Sequence, residues 1–282
     1  MRKSLQKSAK HIRRKLGEHK GILDPINAAQ HFQLNRYLPS PYLAPFVEHY
    51  WIIRWDLKGR QPYVSEVLPY PNINLAFTKD QAWITGVTTG KYDYEVKNAG
   101  VIVGVMFKPG AFYAFWPHSM ASLTDKTMPV IEVFPEADGD FRRELLALSD
   151  DKQIVVEIEE LLHTKQPALD QSIRLITKII VTVTSDKDLL TVQAVAKQFN
   201  MSERTLQHLF QTYVGAGLKW IIMRYRLQEA AEVAAKQETP NWTVIAAELG
   251  YSDQSHFAND FKRVIGKSPS SYNKSLHKRS IN

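Results

Sequence analysis

The sequence predicts an α+β chain of two domains. A β-rich barrel or sandwich with trailing helices comes first, and an all-α domain with two helix-turn-helix units joined by a central helix follows. Three observations predict it. From about Phe32 to Phe107, short runs rich in Val, Ile, Tyr and Trp alternate with turn residues. After Pro135 the apolar residues recur at helical spacing. Between Thr191 and Tyr272 one local pattern is written twice.

Residues 1–25 form a basic extension. Its first twenty residues hold eight Lys and Arg against the single acid Glu18. Leu5, Ala9, Ile12 and Leu16 fall on one face of a basic amphipathic helix suited to phosphates or an acidic surface. A solvated, frayed extension is the plainer expectation for a chain terminus.

Residues 26–166 make the β-rich domain. Its strands are expected at Val47–Trp55, Tyr63–Leu68, Ile73–Phe77, Ala82–Val87, Tyr92–Val96 and Val101–Phe107. Pro69-Tyr70-Pro71, Lys79-Asp80, Thr89-Gly90 and Asn98-Ala99-Gly100 separate them as turns. Strands of this length and spacing imply an antiparallel barrel or sandwich. Two helices trail it: Phe141, Leu145, Leu146 and Leu148 mark one, and Ile154, Val155, Ile158, Leu161 and Leu162 stripe the other. Pro167 marks the boundary.

Residues 167–282 are read as wholly helical. A helix opens at Asp170 or Gln171 and carries Ile173, Ile176, Ile179 and Ile180. The doubled pattern follows. Val195-Ala196, Phe199-Asn200-Met201-Ser202, Leu206 and Phe210 answer to Ile245-Ala246, Leu249-Gly250-Tyr251-Ser252, Phe257 and Phe261. In each copy a small Ala lets two helices approach across a tight corner, and a polar cap opens a helix with one buried and one polar face. A helix over residues 218–236 lies between the copies. At about 1.5 Å per residue it has the reach to set two such units into major grooves that repeat about every 34 Å.

Composition narrows the function classes. The 282 residues contain no cysteine, which removes disulfides, Cys-ligated zinc and thiol nucleophiles and fits a reducing cytoplasm. No apolar run is long enough to span a bilayer, and the first residues lack the apolar centre of a secretory signal, so a cytoplasmic location without membrane attachment is expected. The net charge of +7 is uneven: the tail is strongly basic, and the segment from Asp186 onward carries thirteen basic against nine acidic residues. The centre is mildly acidic. An anionic partner is expected at the ends and not in the middle.

The residues of the doubled pattern carry a specific resemblance. Ala196, Ser202, Arg204, Leu206, Phe210, Gly215, Arg226-Leu227, Ala230, Ile245-Ala246, Gly250-Tyr251, Ser255-His256-Phe257, Phe261-Lys262, Gly266, Ser268-Pro269 and Tyr272 resemble the AraC/XylS family of bacterial transcription regulators over about a hundred residues. The resemblance implies a seven-helix DNA-binding domain, and hence double-stranded DNA as partner, engaged at two adjacent major-groove segments. Pro41–Trp51, Leu68-Pro69 and Phe107-Lys108-Pro109-Gly110 look similar to the sensor-like domain in front of some regulators of this family. That implies a β-rich, cupin-like module that senses a small-molecule effector or forms a homodimer. RNA polymerase would be a further partner of an activator.

By the same resemblance the first recognition helix runs from Ser202 to about Thr212, with Ser202 capping an amide near Thr205. Arg204, Gln207, His208 and Gln211 face outward, and Arg and Gln have the geometry for bidentate contacts to guanine and adenine edges. The second begins near Ser252-Asp253 and presents Gln254, Ser255, His256 and Asn259, with Lys262 and Arg263 placed for phosphates. His208 and Asn259 stand where the family often carries Arg, and Asp260 adds negative charge, so modest affinity is expected from the second helix. His256 has a rival reading as a side chain packed at the turn. Arg226 is read as structural, with Glu248 as a candidate partner.

No cofactor or metal is expected. The chain has no His-x-His, and His49 and His118 stand alone. Nor is there a Gly-rich phosphate loop, a GxSxG elbow or an HExxH helix, so no enzyme is read here. Trp51, Trp55, Tyr70, Trp83 and Trp116, with Asn72 and Asn74, are candidates for an effector pocket, although aromatics of a small β-domain belong first to its core. A regulator whose first domain only dimerises or contacts proteins is the alternative. An enzyme fused to a DNA-binding domain is the remote one, and the alkylation-repair kind would need the missing cysteine.

Overall fold

The computed structural model describes residues 25–277 except 69, 187, 236 and 238. The basic extension and its amphipathic helix fall almost wholly outside them.

The first domain is built on two antiparallel sheets. After a one-turn helix α1 (Pro25–Ala28), the strands are β1 (Gln33–Tyr37), β2 (Val47–Leu57), β3 (Tyr63–Val67), β4 (Asn74–Phe77), β5 (Ala82–Thr85), β6 (Tyr92–Val96), β7 (Asn98–Phe107) and β8 (Thr127–Pro129). Six of them form one sheet in the order β1-β2-β7-β4-β5-β8, and β3 pairs with β6 in a separate ribbon. The expected strands all have counterparts within a few residues. The turn expected at Asn98-Ala99-Gly100 is a correction: these residues pair with Leu57, Asp56 and Trp55 and open β7. The chain turns at Lys97 instead, with Asn98 at φ 56, a backbone that Asn tolerates better than most residues. The short edge strands β1 and β8 are additional to those the sequence predicts.

Alternation along β2 and β7 decides the core. Tyr50, Ile52, Val103, Val105 and Phe107 point one way into a cluster with Phe77, Phe112, Phe115 and Phe134. The opposite face holds Trp51 and Trp55, which lie over the glycines directly across from them, Gly104 and Gly100, where a Cβ would overlap the rings. Helices α2 (Gly139–Ala147) and α3 (Asp151–His163) close the core, each capped by an aspartate, Asp138 and Asp150. α3 docks on the sheet through two carboxylates. Asp151 accepts from Asn35 at 2.9 Å and Tyr37 at 2.6 Å and pairs with Arg54; Glu159 accepts from the Ser40 amide at 2.7 Å and the Tyr50 hydroxyl at 3.1 Å. Burial, then the Glu159 charge and hydrogen bond, raises the Tyr50 pKa well above the ordinary tyrosine value.

The second domain is α4 (Gln171–Ser185), α5 (Val192–Gln198), α6 (Glu203–Tyr213), α7 (Leu218–Ala235), α8 (Trp242–Glu248), α9 (Gln254–Ile265) and α10 (Pro269–His277). It has two cores. Ile176, Ile179, Val195, Leu206, Phe210 and Ile221 make one; Leu227, Ala230, Ile245, Phe257, Phe261 and Val264 make the other. α7 runs through both. Its Leu227, Ala230 and Ala231 face the helices, while Arg224 on another side is 1% exposed with its guanidinium 3.7 Å from the Tyr70 ring centroid. A helix buried on several sides joins layers, and here the layers are the two domains. α4 joins them as well, since Ile173 lies in the first domain's core and Ile176 in the second's. No helix among the described residues is long and apolar enough to cross a membrane.

Candidate nucleic-acid interface

The two copies of the sequence pattern fold into two copies of one geometry. Each leading helix starts on a side-chain cap: Thr191 accepts from the Ala194 amide at 3.1 Å, and Asn241 from Thr243 and Val244 at 3.2 Å each. Each ends in a residue of positive φ, Asn200 at 51° and Gly250 at 79°. At both ends the next amide reaches back six residues' span to the buried alanine: Met201 donates to the Ala196 carbonyl at 2.9 Å and Tyr251 to that of Ala246 at 3.0 Å. This pairing closes a helix and reverses the chain within two residues. The small Ala serves both the reversal and the close approach.

The recognition helices follow at once. Ser202 caps α6 by accepting from the Thr205 amide at 3.0 Å, as the sequence implied. Asp253 caps α9 by accepting from Ser255 at 2.9 Å and His256 at 3.3 Å. Leu206 with Phe210, and Phe257 with Phe261, are fully buried and fix the rotation of each helix about its axis. Arg204, Gln207 and His208 are thereby exposed on α6, with Gln211 half-buried at its end; Gln254, Ser255, His256, Asn259 and Lys262 are exposed on α9. The named residues fall on two polar faces, one per unit.

One partner changes at this level. Arg226 is 4% exposed and pairs with Glu229 at 3.1 Å while donating to the carbonyls of Val183 and Asp186. Its partner is Glu229; Glu248 lies exposed on α8. The buried guanidinium ties the end of α4 to α7. His256 keeps both readings: its side chain is 69% exposed with Nε2 3.5 Å from Asp260 Oδ2, and its ring meets that of the turn residue Tyr251 edge-on, 5.5 Å between centroids. Asp260 is the buried member, 13% exposed. It accepts from the Tyr251 hydroxyl at 3.0 Å and from Arg263 at 2.7 Å. Burial, followed by the Asp260 charge, pushes the Tyr251 hydroxyl pKa far above its ordinary value.

The first domain grips this scaffold away from the polar faces. Thr124 donates to the Gly215 carbonyl just beyond α6, and the Tyr113 and Tyr213 rings lie 4.2 Å apart. At the other unit Glu66 accepts from Lys267 at 2.9 Å and from Lys91 at 3.0 Å, and the Lys91 stem crosses Gly266 where a Cβ would stand. Burial works against the Glu66 charge, but the hydrogen bonds and charges of the two lysines outweigh it and leave its pKa lowered.

The residues proposed for an effector pocket do not converge. Trp55 donates to the Lys97 carbonyl at 2.9 Å, Trp116 stacks on His118, Tyr70 lies under Arg224, and Asn72 donates to the Phe107 carbonyl inside the sheet. Trp83 borders a cleft of about 370 Å³, together with Gln81, Met128, Ile131, Asp138 and Arg142, and Trp55 borders a separate, shallower one of about 560 Å³ with Arg54, Asp56 and Val101. Among the described residues no group of His, Cys, Asp and Glu could hold a metal ion.

With this geometry in hand, the chain's likenesses fall on the same two units. Residues 195–275 match the family described as a helix-turn-helix domain, and residues 35–129 match a domain of unknown function, DUF6597. The C-terminal domain is a helix-turn-helix domain of the AraC type. An uncharacterized HTH-type transcriptional regulator of Haemophilus influenzae is 31% identical over 106 residues, which cover 38% of this chain and 35% of that one. The raffinose operon transcriptional regulatory protein RafR of Pediococcus pentosaceus is 33% identical over 88 residues, 30% of this chain and 31% of that one. The chain thus matches about a third of the length of these curated relatives. The crystal structure of ToxT from Vibrio cholerae O395 is 13% identical, covers 88% of this chain and 98% of its own, and has a TM-score of 0.39.

Proposed function

We propose that this chain is a sequence-specific DNA-binding transcription regulator that reads two adjacent major-groove segments with α6 and α9. One observation carries the reading: two capped helices, each rotated by buried Leu or Phe anchors so that a polar face is exposed, stand on equivalent scaffolds joined by one buried helix. Arg204, Gln207, Gln254 and Asn259 are the base readers in this account, and His208, Gln211, Ser255, His256 and Lys262 supply further base or phosphate contacts. The names of the curated relatives support the same class.

Control by the first domain is the finer part of the proposal. Its contacts at Gly215 and at Gly266-Lys267 touch the C-terminal end of each recognition helix and leave the polar faces exposed. A signal there acts on the relative orientation of the two helices and not by covering them. An effector acts only to the extent that it binds two such arrangements differently. The cleft beside Trp83 is a ligand-sized space that supports sensing. The contiguous aromatic core inside the sheet supports the second reading, in which this domain forms a homodimer or contacts a protein and senses nothing. A cytoplasmic location, and RNA polymerase as a partner if the regulator activates, complete the proposal.

Selection of bound fragments from genomic DNA by the full chain tests it, followed by binding with and without candidate effectors. A common motif recovered at physiological salt is the expected result; fragments without any shared sequence would sink it.

A further inference from the structure

Resting on that reading, we propose that Asp260 is a specificity-setting positioning residue of the second recognition helix. It keeps Arg263 off the DNA backbone and fixes how His256 is presented. The sequence presents Asp260 only as added negative charge that lowers the second helix's affinity. The structure turns that charge inward: the carboxylate is 13% exposed and anchored by the Tyr251 hydroxyl at 3.0 Å. From there it draws Arg263, four-tenths buried, to 2.7 Å, and a second Arg263 contact reaches Met223 Sδ on α7 at 3.1 Å. The cation nearest the end of α9 is therefore aimed at the central helix. His256, one turn earlier, has Nε2 at 3.5 Å from the same carboxylate. Two side chains donate to this carboxylate, Tyr251 from the turn and Arg263 from the helix, and His256 lies beside it.

The consequence follows from how phosphate contacts work. A free Arg at the end of a groove-facing helix adds affinity for any sequence and steepens the salt dependence by nearly one unit per phosphate neutralised. Held by Asp260, Arg263 adds little of that term, so a larger share of the second helix's binding comes from base edges. The hold is that of a partly exposed ion pair, and its release is worth about two- to five-fold in affinity.

The test uses the full chain, a selected DNA fragment and a random duplex, each titrated over a range of salt. Asp260→Asn should bind the random duplex about two- to five-fold more tightly and steepen the salt slope by up to about one unit. The ratio of specific to random binding should fall. Asp260→Asn/Arg263→Gln should return the slope to the wild-type value, which assigns the gain to Arg263. If Asp260→Asn does not fold, Tyr251→Phe/Asp260→Ala removes the hydroxyl together with its acceptor and leaves no buried polar group unpaired. A parallel loss on both DNAs with an unchanged slope, or no change at all, would overturn the proposal and leave Asp260 a structural residue. Loss of sequence preference in the wild-type arm strikes the regulator reading itself and is seen without any variant.

Discussion

Gln207 and Gln254 are both exposed near the start of a capped recognition helix, Gln207 just after the anchor Leu206 and Gln254 directly after the cap Asp253. The amide of Gln can donate to and accept from an adenine edge at once, a contact worth about 1–3 kcal/mol of discrimination. Gln207→Ala and Gln254→Ala should each cost about that much on selected DNA and relax the preference at different bases, about one helical turn apart. Binding to a panel of single-base variants reads this directly, and a uniform loss across the panel would make them backbone contacts. These positions were legible in sequence because their buried neighbours, Leu206 and Phe257, fix which way they face. The direction of Arg263 was not legible. It depends on Met223, forty residues away, and on a carboxylate whose burial comes from tertiary packing.

At the scale of elements, the doubled corner was the most readable feature, since caps, small alanines and positive-φ residues are local demands that the chain states in place. Gly266 shows where local and long-range demands meet. It ends α9 at φ 82, and the Lys91 stem from the first domain passes through the space a side chain would take. Gly266→Ala should destabilise the protein by about 1–2 kcal/mol through the left-handed backbone alone, measured by urea unfolding. A change near zero would show that the helix end rearranges freely. β1 and β8 were unreadable for a different reason. Three to five residues at a sheet edge, half of them polar, carry too short an alternation to stand out.

Across the whole molecule, the contacts between domains were the least visible in sequence, because they join residues such as Glu66 and Lys267 that only the fold brings together. They make a pH prediction with a defined sign. The Glu66 pKa is lowered in the folded state, so its ion pairs stabilise the protein above the ordinary carboxylate pKa, and that stabilisation is lost as pH falls through the lowered value. Wild type should therefore melt above Glu66→Gln at neutral pH, and the two should converge in the acid range. Thermal unfolding over that range decides it; a difference that grows on acidification would reverse the sign. The fold's central claim concerns DNA. Two recognition helices on one stiff scaffold should protect two major-groove segments on the same face of a selected fragment, with centres about 10–10.5 base pairs apart. Footprinting the full chain on that fragment is the direct measurement. Two such patches, one weakened by Gln207→Ala and the other by Gln254→Ala, are the expected result; a single patch untouched by either substitution, or none at physiological salt, would contradict it.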